Sequence, residues 1–229
     1  MIKIKLSVII PVYNEAKTIR KIVNRILKIK NVLEIIIVDD GSDDGTKLEL
    51  KKISVHKKIK IFTNKKNTGK GAAIRIALKY AKGNYVIVQD ADLEYDPEDY
   101  KKLMKPVLNA KAQVVYGSRF LGEHRNMFFW HLLCNKLLTL LTNILFDTTL
   151  SDMETCYKLI PLKIFEEIKL KSNGFDFEPE VTAKILKKGI RIYEVPISYA
   201  GREYSEGKKI KFWDAVIAFL MILKYRFAD

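Results

Sequence analysis

The stretch YVIVQDADLEYDPED, residues 85–99, joins a short apolar run to a group of carboxylates. YVIV has the length and the β-branched composition of a buried strand, and Pro97 is of a type favoured at the first turn of a helix. Asp90 and Asp92 stand one residue apart at the strand end, so both side chains can face one divalent cation. Mg²⁺ and Mn²⁺ take carboxylate and phosphate oxygens, which predicts a cation bound together with a diphosphate.

The same residues allow a second interpretation. Carboxylates crowd the start of the predicted helix between Asp92 and Asp99, where an acidic cluster is favourable without any ligand. An isolated pair of aspartates at this spacing is therefore ambiguous. The prediction of a cation site needs support from other strands.

Strand and helix patterns alternate through the first half of the chain. The apolar run LSVIIPV at 6–12 is followed by isoleucine, valine and leucine at helical spacing across 15–29. A further helix is predicted from Lys70 to about Ala81. Strands separated by helices imply crossover connections, and hence an α/β fold whose doubly wound, mainly parallel sheet is flanked by helices and binds ligands at the strands' carboxyl ends. The predicted strands are 6–12, 35–38, 59–62, 85–89 and 114–117.

The second half loses this alternation. It predicts an apolar helix at 128–146, a short strand at 157–160 and a helix at 178–188. Residues 190–199 have the pattern of an edge strand, because Pro196 cannot donate a ladder hydrogen bond. No stretch is rich enough in Gly, Ser or Pro to form a linker, so we expect residues 1–229 to form a single domain.

Composition and charge narrow the class of protein. The 229 residues are 48% hydrophobic and 30% charged, with no repeat, which excludes a disordered, collagen-like or solenoid chain. Two cysteines and no apolar leader at the N terminus favour a reducing, cytoplasmic compartment. The net charge of +14 attracts anions, from nucleic acids to acidic lipids and phosphorylated small molecules, without choosing among them.

The two most apolar stretches, 128–146 and 212–227, fall short of a convincing membrane span, which needs about 20 predominantly apolar residues. Polar side chains interrupt the first, and the second is short and ends in basic residues. Both are therefore expected to form amphipathic or interfacial helices. The polar residues are His131, Asn135, Lys136, Asn143, Lys224 and Arg226.

Other strand ends carry side chains that support a ligand site. Asp39 and Asp40 follow the second strand on the same sheet edge as Asp90, where an anionic acceptor suits a base or a ribose hydroxyl. Ordinary turn chemistry explains the same pair without a ligand. PVYNE, at 11–15, adds a rigid turn, an aromatic wall and another carboxylate. NTGKGAA, at 67–73, resembles a phosphate loop but lacks the spacing of the known nucleotide-binding motifs.

In this order and spacing, the blocks resemble one family. The chain is similar to family 2 glycosyltransferases of GT-A fold, and more narrowly to polyprenyl-phosphate glycosyltransferases such as the dolichol-phosphate mannose synthases. The resemblance covers nearly the whole chain. It is carried by VIIPVYNEAKTI, IIIVDDGSDDGT, NTGKGAAIRIAL, VIVQDADLEYDPED, YGSRF, SDMETCYK, FEPEVTAKILKKG and IRIYEVPISYAGREYSEGKKI.

The resemblance implies a nucleotide-sugar site and a divalent cation, with GDP-mannose and UDP-glucose both open as donors. Mg²⁺ or Mn²⁺ would be held by Asp90, Asp92 and Glu94; relatives with Gln at the last position suggest that Glu94 alters metal preference without abolishing binding. Residues 1–120 would form the nucleotide-sugar and metal-binding half, and residues 121–229 the acceptor and membrane-facing half. The implied nucleotide-sugar-binding residues are Pro11, Tyr13, Glu15, Asp40, Asp90, Ala91, Asp92 and Lys208.

The resemblance also implies a polyprenyl phosphate acceptor, such as dolichyl or undecaprenyl phosphate. A lipid phosphate is already largely anionic at neutral pH and needs no general base, so direct displacement would invert the anomeric configuration. Arg119, Arg202 and the lysines at 208 and 209 suit a phosphate, although each alone is an ordinary surface charge. The expected catalytic residues are Asp92, Arg119, Asp152 and Arg202.

Two alternatives stay open. A transferase acting on a glycan hydroxyl would use Asp152 or Glu154 as its base, and a capped loop explains both residues without such a role. A non-catalytic nucleotide-sugar-binding module is the second alternative. Nucleic-acid binding explains the charge but not the carboxylates, and we do not expect it.

Membrane attachment is a separate expectation. Many relatives append transmembrane helices, and this chain ends at Asp229 without them. We therefore expect a peripheral protein on the cytoplasmic face of the membrane. The anionic membrane surface would be contacted by the two apolar helices and the basic charge, or a membrane-protein partner would hold the chain there.

Overall fold

The computed structural model describes residues 3–203 and 212–228. Within these ranges, strands and helices alternate through the first half of the chain, as the sequence predicts. The strands are β1 (Leu6–Val12), β2 (Val32–Asp39), β3 (Ile59–Thr63), β4 (Tyr85–Val88), β5 (Val114–Ser118), β6 (Lys158–Pro161) and β7 (Ile192–Pro196). The helices are α1 (Ile19–Ile26), α2 (Thr46–Ile53), α3 (Lys70–Leu78), α4 (Tyr100–Leu108), α5 (Phe129–Phe146), α6 (Leu162–Ile168), α7 (Phe177–Lys187) and α8 (Phe212–Phe227). A 3₁₀ turn at Pro97–Asp99 precedes α4.

All seven of these strands form one sheet in the order β3-β2-β1-β4-β6-β5-β7. β1 pairs in parallel with β2 and β4, and β2 pairs in parallel with β3. β6 runs antiparallel to both of its neighbours, and β7 pairs in parallel with β5 at the far edge. The predicted α/β class with a mainly parallel sheet is confirmed, and the one reversed strand falls where the sequence loses its alternation.

The central strands are buried on both faces, which explains their uninterrupted apolar sequences. In β1 the side chains of Val8, Ile9 and Ile10 are inaccessible, and residues 35–38 of β2 are equally covered. A second, smaller apolar cluster joins α5 to α8. Its buried members are Leu138, Leu150, Met153, Ala218 and Ile222.

Element boundaries differ from the sequence pattern for local reasons. The first helix is predicted from residue 15, but α1 begins at Ile19, because the N–H groups of Glu15 and Ala16 donate to the side chains of residues 46 and 44, at and just before the start of α2. β7 lies at the sheet edge as expected but ends at Pro196. α2 and α6, of eight and seven residues, were not predicted from the sequence.

Close backbone contact joins α3 to the segment before α7. The N–H groups of Gly71 and Ala72 donate to carbonyls in 173–174, at 3.2 and 3.0 Å. A Cβ at Gly69, whose φ is +100°, would lie 2.3 Å from a carbonyl oxygen of the same segment. The glycines of NTGKGAA therefore permit this close approach, which brings Lys70 to the carboxyl edge of the sheet.

Candidate active site

The Asp40 carboxylate lies where β2 ends, and it organises the loop that leads to α3. It accepts hydrogen bonds from the Thr68 and Gly69 N–H groups at 2.7–3.0 Å, from Thr68 Oγ1 at 2.7 Å and from Asn64 Nδ2 at 2.7 Å. Asp40 is therefore at the predicted edge, but its oxygens are engaged by the chain itself. Asp39 is buried beside it, and its Oδ1 accepts from the Ser42 N–H group.

Asp90 and Lys70 form an ion pair just beyond β4. Lys70 Nζ lies 2.8 Å from Asp90 Oδ1 and 3.6 Å from Glu178 Oε1. Burial by itself lowers the pKa of Lys70, but the combined charges of Asp90, Cys156 and Glu178 and the hydrogen bond to Asp90 hold that pKa well above its usual value. Glu178 also binds the buried Lys158, so a chain of alternating charges runs beneath Asp90.

Arg202 lies against three carboxylates from distant parts of the chain. Its guanidinium nitrogens are 3.1 Å from Glu15 and 3.2 Å from Asp92, and Nε is 3.6 Å from Glu94. Its backbone N–H also donates to Glu94 at 2.8 Å. Burial, followed by the charges of Asp90 and Glu94, raises the pKa of Asp92 to about 7 despite the arginine. The structure thus brings together Glu15, Asp92, Glu94 and Arg202, four of the residues singled out from the sequence.

Tyr199 connects this cluster to the other predicted arginine. Its hydroxyl donates to Glu94 Oε2 at 2.8 Å, and the Arg119 guanidinium lies 5.4 Å from its ring centroid. Tyr199 was not predicted as a site residue. A tyrosine within the motif IRIYEVPISY carries no sign of this contact, because the residue it meets is 105 positions away.

Arg119 and Asp152 form a buried bidentate ion pair. The Arg119 backbone N–H, Nε and Nη2 donate to the Asp152 carboxylate at 3.0, 2.7 and 2.7 Å. Burial by itself lowers the pKa of Arg119, but its interactions, the charge of Asp152 foremost, raise that pKa well above its usual value. Within the described residues no hydrogen bond engages Nη1 of Arg119, whereas Asp152 is fully buried with both oxygens occupied. The geometry therefore makes Asp152 the support of a guanidinium rather than an accessible base.

Glu154 differs from Asp152 two residues earlier. Its Oε1 is buried and has no hydrogen-bond partner within the described part of the chain. Burial raises the pKa of Glu154 to about 7, although the charge of Lys158 opposes the shift. Glu154 is consequently a carboxyl that exchanges its proton near neutral pH, which the sequence alone did not distinguish from Asp152.

The remaining predicted residues are placed as follows. Pro11 is the penultimate residue of β1 at the same sheet edge, Tyr13 follows that strand and is half-buried, and Ala91 is buried between the two aspartates. The lysines at 208 and 209 lie outside the described residues, so their predicted role has no structural counterpart here.

The donor atoms fit a hard divalent cation only in part. Asp90 and Asp92 supply carboxylate oxygens, the ligands that Mg²⁺ and Mn²⁺ prefer. Among residues 3–203 and 212–228, however, no three His, Cys, Asp or Glu side chains converge as a group that could hold a metal ion. Glu94, the third predicted ligand, is instead bonded to Tyr199 and Arg202. Phosphate oxygens would have to complete the coordination shell.

Comparison with solved structures identifies the fold. Glucosyl-3-phosphoglycerate synthase from Mycobacterium tuberculosis, in complex with Mn²⁺, uridine diphosphate and glucosyl-3-phosphoglycerate, superposes with a TM-score of 0.76 at 19% identity, covering 99% of this chain and 81% of that one. A second crystal structure of that enzyme holds Mg²⁺ and uridine diphosphate and gives a TM-score of 0.75. The architecture is the GT-A glycosyltransferase fold.

Sequence comparison then gives the family. The profile of glycosyl transferase family 2 matches residues 7–169, and the chain belongs to this family. The dolichol-phosphate mannosyltransferase of Pyrococcus furiosus is 29% identical over 210 residues, which cover 89% of this chain but 59% of that protein. The polyprenol monophosphomannose synthase of Mycolicibacterium smegmatis is 29% identical over 211 residues, covering 88% of this chain and 79% of that protein. The resemblance read from the sequence motifs is confirmed.

The raised pKa of Glu154 predicts a specific pH dependence of stability. Between pH 4.5, its ordinary pKa, and about 7, the folded chain keeps a proton that the unfolded chain has lost, so this group makes the free energy of unfolding fall as the pH rises. Glu154→Gln removes this effect. The free energy of unfolding of the variant, relative to that of the parent, should therefore increase from pH 4.5 to pH 7 and stay constant above pH 7. Urea unfolding from pH 4.5 to 8 measures the gain, with Glu166→Gln, an exposed position on α6, as the control. Parallel pH curves for parent and Glu154→Gln would contradict the assignment.

Proposed function

We propose that this protein transfers a hexose, mannose or glucose, from a nucleotide sugar to a polyprenyl phosphate, with inversion at the anomeric carbon and dependence on a divalent cation. The observation that carries the proposal is the Arg119–Asp152 pair, which presents a fixed guanidinium and leaves no base at Asp152. The names of the two relatives support the acceptor class. In this proposal, residues 1–120 supply most contacts to the donor and residues 121–229 most contacts to the acceptor, while Arg119 contacts the acceptor phosphate and Arg202 faces the departing diphosphate.

The reaction needs placement of charge more than proton transfer. An oxygen of the acceptor phosphate, already ionised, forms a bond to the anomeric carbon while the bond to the nucleoside diphosphate breaks and its electron pair leaves with the diphosphate. Arg119 orients the attacking phosphate through the donors that Asp152 does not use. Arg202 and Lys70, which lie against Asp92 and Asp90, would compensate the charge of the departing diphosphate.

Asp90 and Asp92 would hold the divalent cation together with oxygens of the diphosphate. When bound, the cation supplies neutralisation of charge on the leaving group. Glu15, Tyr13 and Pro11 lie on the same edge and would contact the nucleotide. The choice between GDP-mannose and UDP-glucose rests on contacts of the bound sugar and base.

A glycan hydroxyl is the second candidate acceptor, and Glu154 is the observation that favours it. A hydroxyl nucleophile needs a base whose pKa lies near the working pH. Glu154 has an unpartnered buried oxygen and a pKa of about 7, whereas the Asp152 carboxylate is saturated by Arg119. Under this alternative Glu154, and not Asp152, is the base.

A pair of variants separates the two acceptors. Arg119→Ala should lower transfer to a short-chain polyprenyl phosphate by on the order of 10²-fold, because it deletes a preorganised charge contact, while Glu154→Gln should stay close to the parent. The measurement is incorporation of labelled hexose from GDP-mannose and UDP-glucose into lipid at saturating donor. A severe loss in Glu154→Gln with near-normal Arg119→Ala, together with turnover on glycan acceptors, would replace the proposal by the hydroxyl mechanism. No transfer or donor hydrolysis with any pair would leave a nucleotide-sugar-binding module.

The aspartate pair is tested by Asp92→Asn. Losing one of two proposed cation ligands should reduce cation-dependent transfer by about 10²-fold or more, while stability changes little, because the amide also relieves repulsion from Asp90 and Glu94. Titration of Mn²⁺ in the presence of the nucleoside diphosphate reports binding directly. Glu98→Gln, an exposed member of the same acidic stretch, is the matched control. Equal behaviour of both variants would favour an acidic helix start without a cation.

We also propose attachment to the cytoplasmic face of the membrane through α5 and α8. Each helix exposes an apolar stripe with seven-residue spacing: Trp130, Leu137 and Ile144 on α5, and Trp213, Leu220 and Phe227 on α8. Both tryptophans of the chain lie on these stripes, and tryptophan is favoured at membrane interfaces. α5 is also long and apolar enough to cross a membrane by length and composition, with a mean hydropathy of 1.3 and 17% of it buried. The exposed Lys136, Lys224 and Arg226 on the same helices would contact anionic head groups, whether or not a membrane-protein partner also binds.

Vesicle sedimentation tests this attachment. The protein should pellet with anionic vesicles and be partly released as salt screens its charge, since the Debye length is about 8 Å at physiological ionic strength. Trp130→Ser combined with Trp213→Ser should weaken binding at every salt concentration. Leu48→Ser is the control, because Leu48 is 68% exposed on α2, where no apolar stripe accompanies it. Unchanged binding in the double variant would contradict docking through these helices.

A further inference from the structure

Glu194 is a half-buried carboxylate on the edge strand β7 that the reaction proposed above does not use. It stands opposite Tyr116 of β5 in the parallel register, on a strand of otherwise apolar or exposed residues. Its oxygens accept four hydrogen bonds, all from the loop 151–152: from the Ser151 N–H at 3.0 and 2.8 Å, from Ser151 Oγ at 3.0 Å and from the Asp152 N–H at 3.2 Å. Glu194 thus fixes the backbone of the residue that carries the Asp152 carboxylate.

The same loop is fixed from β5 as well. Ser151 Oγ lies 2.7 Å from Ser118 Oγ, next to Arg119 in the chain. Asp152 in turn takes three hydrogen bonds from Arg119, one of them from its backbone N–H. A continuous path of hydrogen bonds therefore runs from Glu194 through Ser151 and Asp152 to both the backbone and the guanidinium of Arg119.

We infer that Glu194 is a positioning residue that sets the orientation of the Arg119 guanidinium for an anionic phosphate ligand. Its action on phosphate transfer rests on the proposed function, whereas its action on Arg119 does not. A bidentate pair orients a guanidinium only if its carboxylate is itself held in place. Glu194 restrains the backbone that carries the Asp152 carboxylate by accepting from the consecutive N–H groups of Ser151 and Asp152. A shift of about 1 Å at a positioning group is enough to cost on the order of 10²-fold in rate.

Glu194→Gln is the sharpest change, because it keeps the shape and removes one acceptor. Both carboxylate oxygens accept from the Ser151 N–H, so either orientation of the amide places its NH₂ group against a backbone donor. Glu34→Gln is the matched control. Glu34 is a buried carboxylate that accepts from Ser7 Oγ and the Lys82 N–H, where β1 and β2 begin, at the opposite edge of the sheet.

The first readout is independent of activity. Nε of Arg119 lies 2.7 Å from Asp152 Oδ2, so its proton should give a resolved NMR signal with slow exchange, assigned by its loss in Arg119→Lys. Glu194→Gln should shift this signal and speed its exchange, and Glu34→Gln should leave it in place. If Glu194→Gln does not fold, Ser151→Ala removes one arm of the path with less disturbance and should shift the signal in the same direction. An unmoved signal in a folded variant overturns the inference.

The second readout is transfer to polyprenyl phosphate. Glu194→Gln should raise KM for the acceptor by about 10-fold and leave KM for the nucleotide sugar unchanged, a split that a general loss of stability does not produce. When Glu194→Gln is combined with Arg119→Ala, the transfer rate should fall no further than in Arg119→Ala alone, because Glu194 acts through that arginine. Additive losses overturn the inference. A parent enzyme that fails to use polyprenyl phosphate while the NMR signal still responds would instead count against the proposed function alone.

Discussion

Ion pairs at the carboxyl edge of the sheet join buried or half-buried carboxylates to cations from other parts of the chain, and these pairs arrange most of the site. Asp90 is compensated by Lys70, Asp152 by Arg119, and the group formed by Glu15, Asp92 and Glu94 by Arg202. An uncompensated ion in such a place costs several kcal/mol, so each cation is fixed by the carboxylate it serves. The partners are far apart in the sequence: Arg202 is 110 residues from Asp92, and Arg119 is 33 from Asp152. The second half of the chain is therefore held over the first partly by charge.

This long-range pairing sets the limit of what the sequence can predict. Apolar runs located the strands β1 to β5, because burial on both faces leaves a continuous signal in one segment. Asp90 and Asp92 were found in the same way, since both follow a strand directly. Lys70, Tyr199 and Glu194 were missed as site residues because their roles depend on partners that no local pattern reveals.

Asp40 shows the converse limit. Its position at the sheet edge was predicted, yet its oxygens are taken by the loop 64–69. A carboxylate followed 28 residues later by a Gly-containing turn has two possible partners, a ligand or that turn, and only the folded chain decides between them. Asp152 and Glu154 illustrate the same point. They are two residues apart and equally acidic in sequence, but one is saturated by Arg119 and the other keeps an unpartnered oxygen.

One aromatic ring links the candidate acceptor cation to the apolar helices. Phe120 follows Arg119 directly, and its ring centroid lies 5.6 Å from that guanidinium and 3.8 Å from Nζ of Lys136 on α5. Lys136 is one residue from Leu137, a member of the exposed apolar stripe of that helix. An acceptor with a phosphate at one end and a hydrocarbon chain at the other matches this succession of a fixed guanidinium, an aromatic ring with a second cation, and an apolar surface. A free glycan has no hydrocarbon chain for the apolar surface to bind. The position of α5 beside Arg119 therefore favours the lipid phosphate, and this argument is independent of the missing base at Asp152.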